Sequence, residues 1–229
     1  IHGESIIITG KENEQIIRAF MNGKILRNNL SGKCDSIHFS QLTGIAQLIN
    51  KQNSFNERSR KIKKPILWSN KSQITGDSIH IKFDTNNNTI DSLFVFDNAF
   101  IIEKDTLEIG FNQISGKRLN GNFIDGKLKE VDIIKNAESV YYLRNSENEL
   151  IGIDKSKSAK IKILISEENI DTFTKINQID GNVYPEDEFN ENDKLLKGFF
   201  FREDEIIKTI DDLFIEDKKF QFTKIKKLE

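Results

Sequence analysis

The sequence predicts an all-β chain of stacked strand repeats that changes character at its C-terminal end. Three observations carry this reading. A phrase recurs: LSGKCDSIHF at 30–39 returns as ITGDSIHIKF at 74–83, with Asp-Ser-Ile-His identical at 35–38 and 77–80. Looser copies follow as NQISGKRL at 112–119 and LIGIDKSKSAKIKI at 150–163. Such self-similarity marks repeated supersecondary units. Apolar and polar residues also alternate at period two, with Ile79, Ile81 and Phe83 on one face and Ser78, His80 and Lys82 on the other. Finally, Ile, Phe and Asn are abundant and only Pro65 and Pro185 are proline, a composition of strands and turns.

The elements follow in order. Residues 5–9 (SIIIT) read as a short strand, and 16–27 as two strands around the Asn22-Gly23 hairpin signal. Strands at 35–40 and 44–49 precede a polar, basic loop at 50–64. Pro65 opens a strand at 65–69, where its missing N–H is tolerated. Strand 77–83 is followed by the DTNNN turn at 84–88. Strands at 90–96 and 99–103 are separated by Asp97-Asn98, and others are expected at 107–111, 128–134, 138–143, 159–165 and 170–176. Asp125-Gly126 and the polar run 144–149 mark turns. The copies align on Gly32, Gly76, Gly116 and Gly152, and Gly181 in NQIDG suggests a fifth unit. We divide the chain into a repeat domain at 1–185 and a tail at 186–229. The tail holds an acidic linker at 186–193, the apolar burst LLKGFFF at 195–201, a helix over 203–214 and a short strand at 219–225. The helix rests on the spacing of Ile206, Ile207, Ile210, Leu213 and Phe214, with acids ahead and lysines beyond.

Composition limits the function classes. Hydrophobic residues make up 37 % of the 229 residues and charged residues 31 %, a thin core that suits an elongated β structure. The net charge of −2 supplies no basic field for nucleic acid. The run RSRKIKK at 58–64 reads as a solvated loop. Cys34 is the single cysteine, so no intramolecular disulfide forms, and it reads as a small half-buried residue. No apolar run is long enough for a membrane-spanning helix, and no signal peptide is visible.

Candidate chemistry is sparse. His38 and His80 occupy equivalent repeat positions, so units stacked in register would bring them about 5 Å apart, where two imidazoles could share a metal. No third ligand is fixed by the pattern, and solvent-facing strand residues are the simpler reading. Asp35 and Asp77 are better explained as turn residues bonding local backbone than as a catalytic pair. No nucleophile elbow, zinc-binding helix or phosphate loop is present, so no cofactor or enzymatic activity is expected. Trp68 reads as core.

The run PILWSNKSQITGDSIHI at 65–81, then NAFIIEKDTLEIGFNQISGKRLNGNFIDGKLKEVDIIKNAESVYY at 98–142, resembles the OstA-like proteins of Gram-negative bacteria. These are relatives of the periplasmic bridge protein of the lipopolysaccharide-transport (Lpt) machinery. GKCDSIHFSQLTGIAQL at 32–48 looks like an earlier unit of the same type. Trp68, Gln73-Ile74-Thr75-Gly76-Asp77 and the FNQISGK block carry the resemblance in order. It implies an elongated, half-open β-jellyroll, taco-like, in the periplasm. It further implies an apolar inner face for lipopolysaccharide acyl chains, no cofactor, and end-to-end strand addition to other Lpt components or to itself. Strand parity then supplies candidate inner-wall residues: Ile37, Phe39, Ile66, Trp68, Ile79, Ile81, Phe83, Leu93, Val95, Phe100, Ile102, Val131, Ile133, Ile161 and Ile163. Two other readings stand beside it. One is a structural β-solenoid or adhesin-like module that binds protein or glycan without lipid. The other is a β-helix enzyme, which would need converging charged residues that the pattern does not supply.

Overall fold

A computed structural model describes residues 1–27, 30–50, 64–69, 71–87, 89–105, 107, 110–166 and 169–215. They form one 13-stranded antiparallel sheet. Its strands are β1 (Ser5–Thr9), β2 (Ile16–Arg27), β3 (Leu30–Ser40), β4 (Ile45–Ile49), β5 (Ile66–Ser69), β6 (Ser72–Thr75) and β7 (Ser78–Phe83). They continue as β8 (Ile90–Lys104), β9 (Phe111–Ile124), β10 (Lys127–Arg144), β11 (Leu150–Ser166), β12 (Asn169–Ile176) and β13 (Asp180–Tyr184). β4 and β5 act as two halves of one strand beside β3, and β7 and β6 as two halves beside β8. β12 and β13 do the same beside β11.

The long strands bend along a common line. Left-handed pairs interrupt the ladder at Met21-Asn22 (φ 58° and 60°), Asp97-Asn98 (53° and 51°) and Lys135-Asn136 (66° and 52°). The register shifts at each of them, between Phe20 and Gly23, Phe96 and Ala99, and Ile134 and Ala137. Extra residues on one strand bend it and increase its twist. Asn and Asp tolerate the left-handed region because their short side chains bond locally. Asn177-Gln178 repeats the device between β12 and β13 (61° and 49°). The sheet therefore folds over itself into two leaves. The first leaf holds β1, β4, β7, β12 and one half of each long strand. The second holds β5, β6, β13 and the other halves.

Two repeat glycines sit at this bend. A Cβ on Gly76 would lie 2.1 Å from Val95 Cγ1, and one on Gly116 would lie 2.4 Å from Ile133 Cγ2. At this crease the chain passes too close to the first leaf's core for any side chain.

The all-β reading holds, and several elements differ in detail. Asn22-Gly23 is no hairpin: β3 pairs with β2 on both sides of it, so the left-handed pair makes a bulge instead. Likewise 90–96 and 99–103 are one strand, as are 128–134 and 138–143. The strand expected at 107–111 begins only at Phe111 and runs to Ile124. The C-terminal helix is corrected to two isolated 3-10 turns, Glu203–Glu205 and Asp211–Leu213. The Asp212 carboxylate accepts the N–H groups of Lys208 and Thr209, both at 2.8 Å, which diverts backbone from a helix ladder. Its apolar residues also share no face, since Ile207 is buried while Ile210 is 69 % exposed. The strand expected at 219–225 and most of the 50–64 loop lie outside the described residues.

Candidate functional site: an apolar interior and a strapped outer face

The leaves enclose one apolar interior. Ala19, Ile37, Leu48, Ile79, Val95, Leu119, Ile133 and Ile161 pair in succession from β2 to β11. Each is at most 1 % exposed. A second row runs Phe39, Ala46, Ile81, Leu93, Gly121, Val131, Ile163. Leu67, Ile74 and Ile114 of the second leaf pack against these rows in the same cluster, with Ile101 partly buried beside them. The interior is filled by its own side chains.

Contacts between the leaf rims close the mouth of this interior. At the β2 end the Arg27 guanidinium lies 4.6 Å from the centre of the Phe83 ring. At the β11 end Tyr141 and Phe173 stack with centroids 5.3 Å apart. There Lys175 Nζ donates to both Asp154 oxygens at 2.7 Å. The Ser156 hydroxyl donates to Asp154 Oδ2 at 3.0 Å and lies 3.0 Å from Ser139 Oγ. The interior thus turns polar at this corner. Nearby, burial pushes the Glu103 carboxyl up, against the opposing pull of Lys71 and a hydrogen bond with Ser72. Burial also raises the Tyr141 hydroxyl, and Glu103 and Asp105 add to the rise. Arg144 donates to Asp105 from Nε at 2.8 Å and from Nη2 at 2.6 Å, a pair almost wholly buried.

The outer face of the second leaf is buried as well, under the chain's own C-terminal segment. Phe100, Ile102, Val140, Tyr142 and Ile153 form a second cluster with Phe189 and Leu196 of that strap, with Phe199 and Phe201 packed alongside. Two glutamines hold the strap by its backbone. Gln113 Nε2 donates to the Lys194 carbonyl at 2.7 Å, and Gln113 Oε1 accepts the Leu196 N–H at 2.8 Å. Gln73 Nε2 donates to the Phe200 carbonyl, and Gln73 Oε1 accepts the Arg202 N–H, both at 2.7 Å. Both side chains read a carbonyl and the N–H two residues later, as a neighbouring strand would. Between the clamps the chain turns at Leu196–Phe199, with Gly198 at φ 95°. Beyond them Glu203 pairs with Lys104 at 2.8 Å, Glu205 with Arg202 at 2.7 Å and Lys33 at 3.7 Å, and Lys24 Nζ donates to the Ile215 carbonyl.

The fifteen candidate wall residues divide between these faces. Ile37, Ile79, Ile81, Phe83, Leu93, Val95, Val131, Ile133, Ile161 and Ile163 lie in the interior cluster, with Phe39 packed against it. Phe100 and Ile102 lie in the cluster beneath the strap. Ile66 and Trp68 share that outer face by strand parity, since Leu67 between them points inward. For these four the assumed parity is corrected. Ile66-Leu67-Trp68 and Phe100-Ile101-Ile102 are buried on both faces, so alternation leaves no mark there.

The histidine pair does not meet. His38 pairs with Gln47 and Gln47 with His80, so β4 separates them. Burial lowers the pKa of both, and Arg18 lowers that of His38 further. Among the described residues no three His, Cys, Asp or Glu side chains converge on a metal position. Asp77 accepts from Asn98 Nδ2 at 2.7 Å and pairs with Lys64 at 3.1 Å, bracing the bend. The Cys34 thiol donates to the Ser36 carbonyl at 3.1 Å, and burial pushes it up to about 12, which leaves it unreactive. Sequence reasoning missed the glutamine clamps and the Asp154–Lys175 corner. The signal for the first was the repeat itself, QITG and QISG at 73–76 and 113–116.

No protein family and no curated protein matches the chain. It is similar to a crystal structure of LptH from Pseudomonas aeruginosa, described as the LptA homologous periplasmic component of the conserved lipopolysaccharide transport device. The TM-score is 0.46 at 13 % identity, over 68 % of this chain and 95 % of that one.

Proposed function

We propose that this chain is a non-catalytic periplasmic module that shelters lipopolysaccharide acyl chains between its two leaves as part of a bridge to the outer membrane. The observation that carries the reading is the pair of apolar rows crossing the inner face, one from β2 and one from β3, to β11. Each methylene moved from water onto such a wall gains about 0.8 kcal/mol. Both sheet edges support end-to-end assembly with itself or with other transport components. Among the described residues β1 pairs only with β2 and exposes Ile6, Ile7 and Ile8 by 47 %, 48 % and 57 %, and β12 pairs only with β11. Unpaired edge groups template strand addition. In this reading the inner-wall contacts are the interior residues named above, and the leaves part to admit lipid.

The filled interior favours a second reading, a structural β module that binds protein or glycan and never opens. Photocrosslinking to lipopolysaccharide separates the two. Crosslinkers go at Ile81, Val95 and Ile163, with controls at outward-facing His80 and strap-covered Trp68. Adducts at the first three alone support the lipid reading. A folded protein without adducts, or with adducts mainly at the controls, refutes it.

A further inference from the structure

The two glutamine clamps are one backbone-reading site made twice by the repeat. Gln73 and Gln113 are 1 % and 0 % exposed, and each spends both ends of its amide on the strap. A side-chain amide that takes a carbonyl and the N–H two residues on recognises extended backbone whatever chain supplies it. Apolar sockets surround the clamps and select what docks: Phe111 meets Phe199 and Phe201 at 5.0 and 5.1 Å, and Tyr184 meets Phe189 at 5.5 Å. Charge completes the match, acidic Glu203 and Glu205 on the strap facing Lys104 and Lys33 on the leaf. None of these contacts is a ladder bond between strap and sheet, and none needs the strap to belong to the same chain. The strap joins the sheet only through the segment after β13, where Pro185 and the 3-10 turn Glu186–Glu188 bury no residue.

We infer that the outer face of the second leaf is an acceptor for the strap of a second copy of this chain, so that copies link by exchanging residues 189–215, the clamped strap together with the segment that docks on β2. Exchange of an identical element needs no new interface, because every bond made in one chain is remade between two. This link is independent of lipid binding and of the free β1 and β12 edges.

The test shortens the hinge. Deleting Glu186–Glu188 from the full chain removes the slack needed to reach Gln113 within one molecule. Light scattering of the purified protein is then read against concentration. Dimers or larger species are expected, reverting to monomer when Gln73→Ala and Gln113→Ala are added. A folded monomer at every concentration overturns the inference, as do oligomers that ignore both glutamines. Where the deletion prevents folding, a fluorescent peptide of residues 189–206 is titrated onto full-length protein whose own strap carries Phe189→Ala and Leu196→Ala. Saturable binding that weakens at least about tenfold with Gln73→Ala and Gln113→Ala is expected. Absence of binding overturns the inference.

Discussion

Replacing Gln113 by leucine tests whether the strap is held by backbone recognition or by apolar contact alone. Leucine keeps most of the volume and loses both ends of the amide. The side chain is fully buried and donates or accepts at 2.7 and 2.8 Å to the strap, with a further bond of 3.1 Å to the Phe111 carbonyl. Leaving a buried carbonyl and N–H unsatisfied costs about 1–3 kcal/mol each. Some of that is recovered by hydration once the strap lifts, so a loss of about 2–4 kcal/mol in strap docking is expected. At 1.4 kcal/mol per decade this raises the open fraction by about 30- to 700-fold. Amide hydrogen exchange reads it directly, through faster exchange over 189–202 and unchanged protection in β4, β7 and the first-leaf half of β10. Adding Gln73→Leu should produce less than a second full increment, because both clamps hold one segment. Uniform loss of protection across the sheet, or a strap unaffected by the change, would refute the backbone-clamp account.

Other outcomes follow from the same geometry. Asp105→Asn leaves the buried Arg144 guanidinium without its carboxylate and should cost about 3–5 kcal/mol, seen as a lowered urea midpoint at unchanged slope. Gly116→Ala drives a methyl to 2.4 Å from Ile133 Cγ2 and should cost about 1–3 kcal/mol, and Ile133→Ala, which removes Cγ2, should cost less in that background than alone in a double-mutant cycle. His38 and His80 titrate below their ordinary 6.5 in the fold. Their contribution is therefore present above pH 6.5 and lost as pH falls through the lowered folded values. His80→Gln should flatten part of that acid-side decline in denaturation midpoints measured from pH 7.5 to 5.

Legibility in the sequence tracked how many faces of a strand are buried. In β7, Ile79, Ile81 and Phe83 face the core while His80 and Lys82 face outward, so alternation identified the inner row directly. The second leaf is covered by the interior on one side and the strap on the other. Ile66-Leu67-Trp68 on β5 and Phe100-Ile101-Ile102 on β8 therefore read as continuous apolar runs, in which the inward residue has no periodic signature. The bends were visible as Asn-containing dipeptides but ambiguous in kind. A tight hairpin and a left-handed bulge demand the same φ, and only pairing to β3 on both sides of Met21-Asn22 separates them. The repeat was real and its stacking was not simple. Asp-Ser-Ile-His copies fall on β3 and β7 with β4 inserted between, so identical residues never become neighbours. The strap was hidden because Phe189, Leu196, Phe199 and Phe201 follow no regular period, while the residues beyond it fit a helical spacing that the Asp212 cap and dispersed burial defeat.

If the leaves part to admit lipid, as proposed above, the two-sided burial of the second leaf decides where they part. That leaf is fixed between core and strap, so movement belongs to the first leaf, whose outer face is only partly covered. The mouth contacts are unequal at its ends. The β2 end carries the Arg27–Phe83 contact, worth about 0.5–2 kcal/mol depending on hydration. The β11 end carries the Tyr141–Phe173 stack, about 0.5–1.5 kcal/mol. It also carries the charge-assisted Lys175–Asp154 bonds, about 1.5–3 kcal/mol. Ser139 and Ser156 further orient that carboxylate. Opening therefore starts at the β2 end and is resisted at the β11 end. Hydrogen exchange under mildly destabilising conditions should release the amides of β7 near Phe83 before those of β12 near Phe173. Asp154→Asn should erase the difference by loosening the resistant end. The reverse order in the unmodified protein would show that the ion pair is not what holds the leaves together.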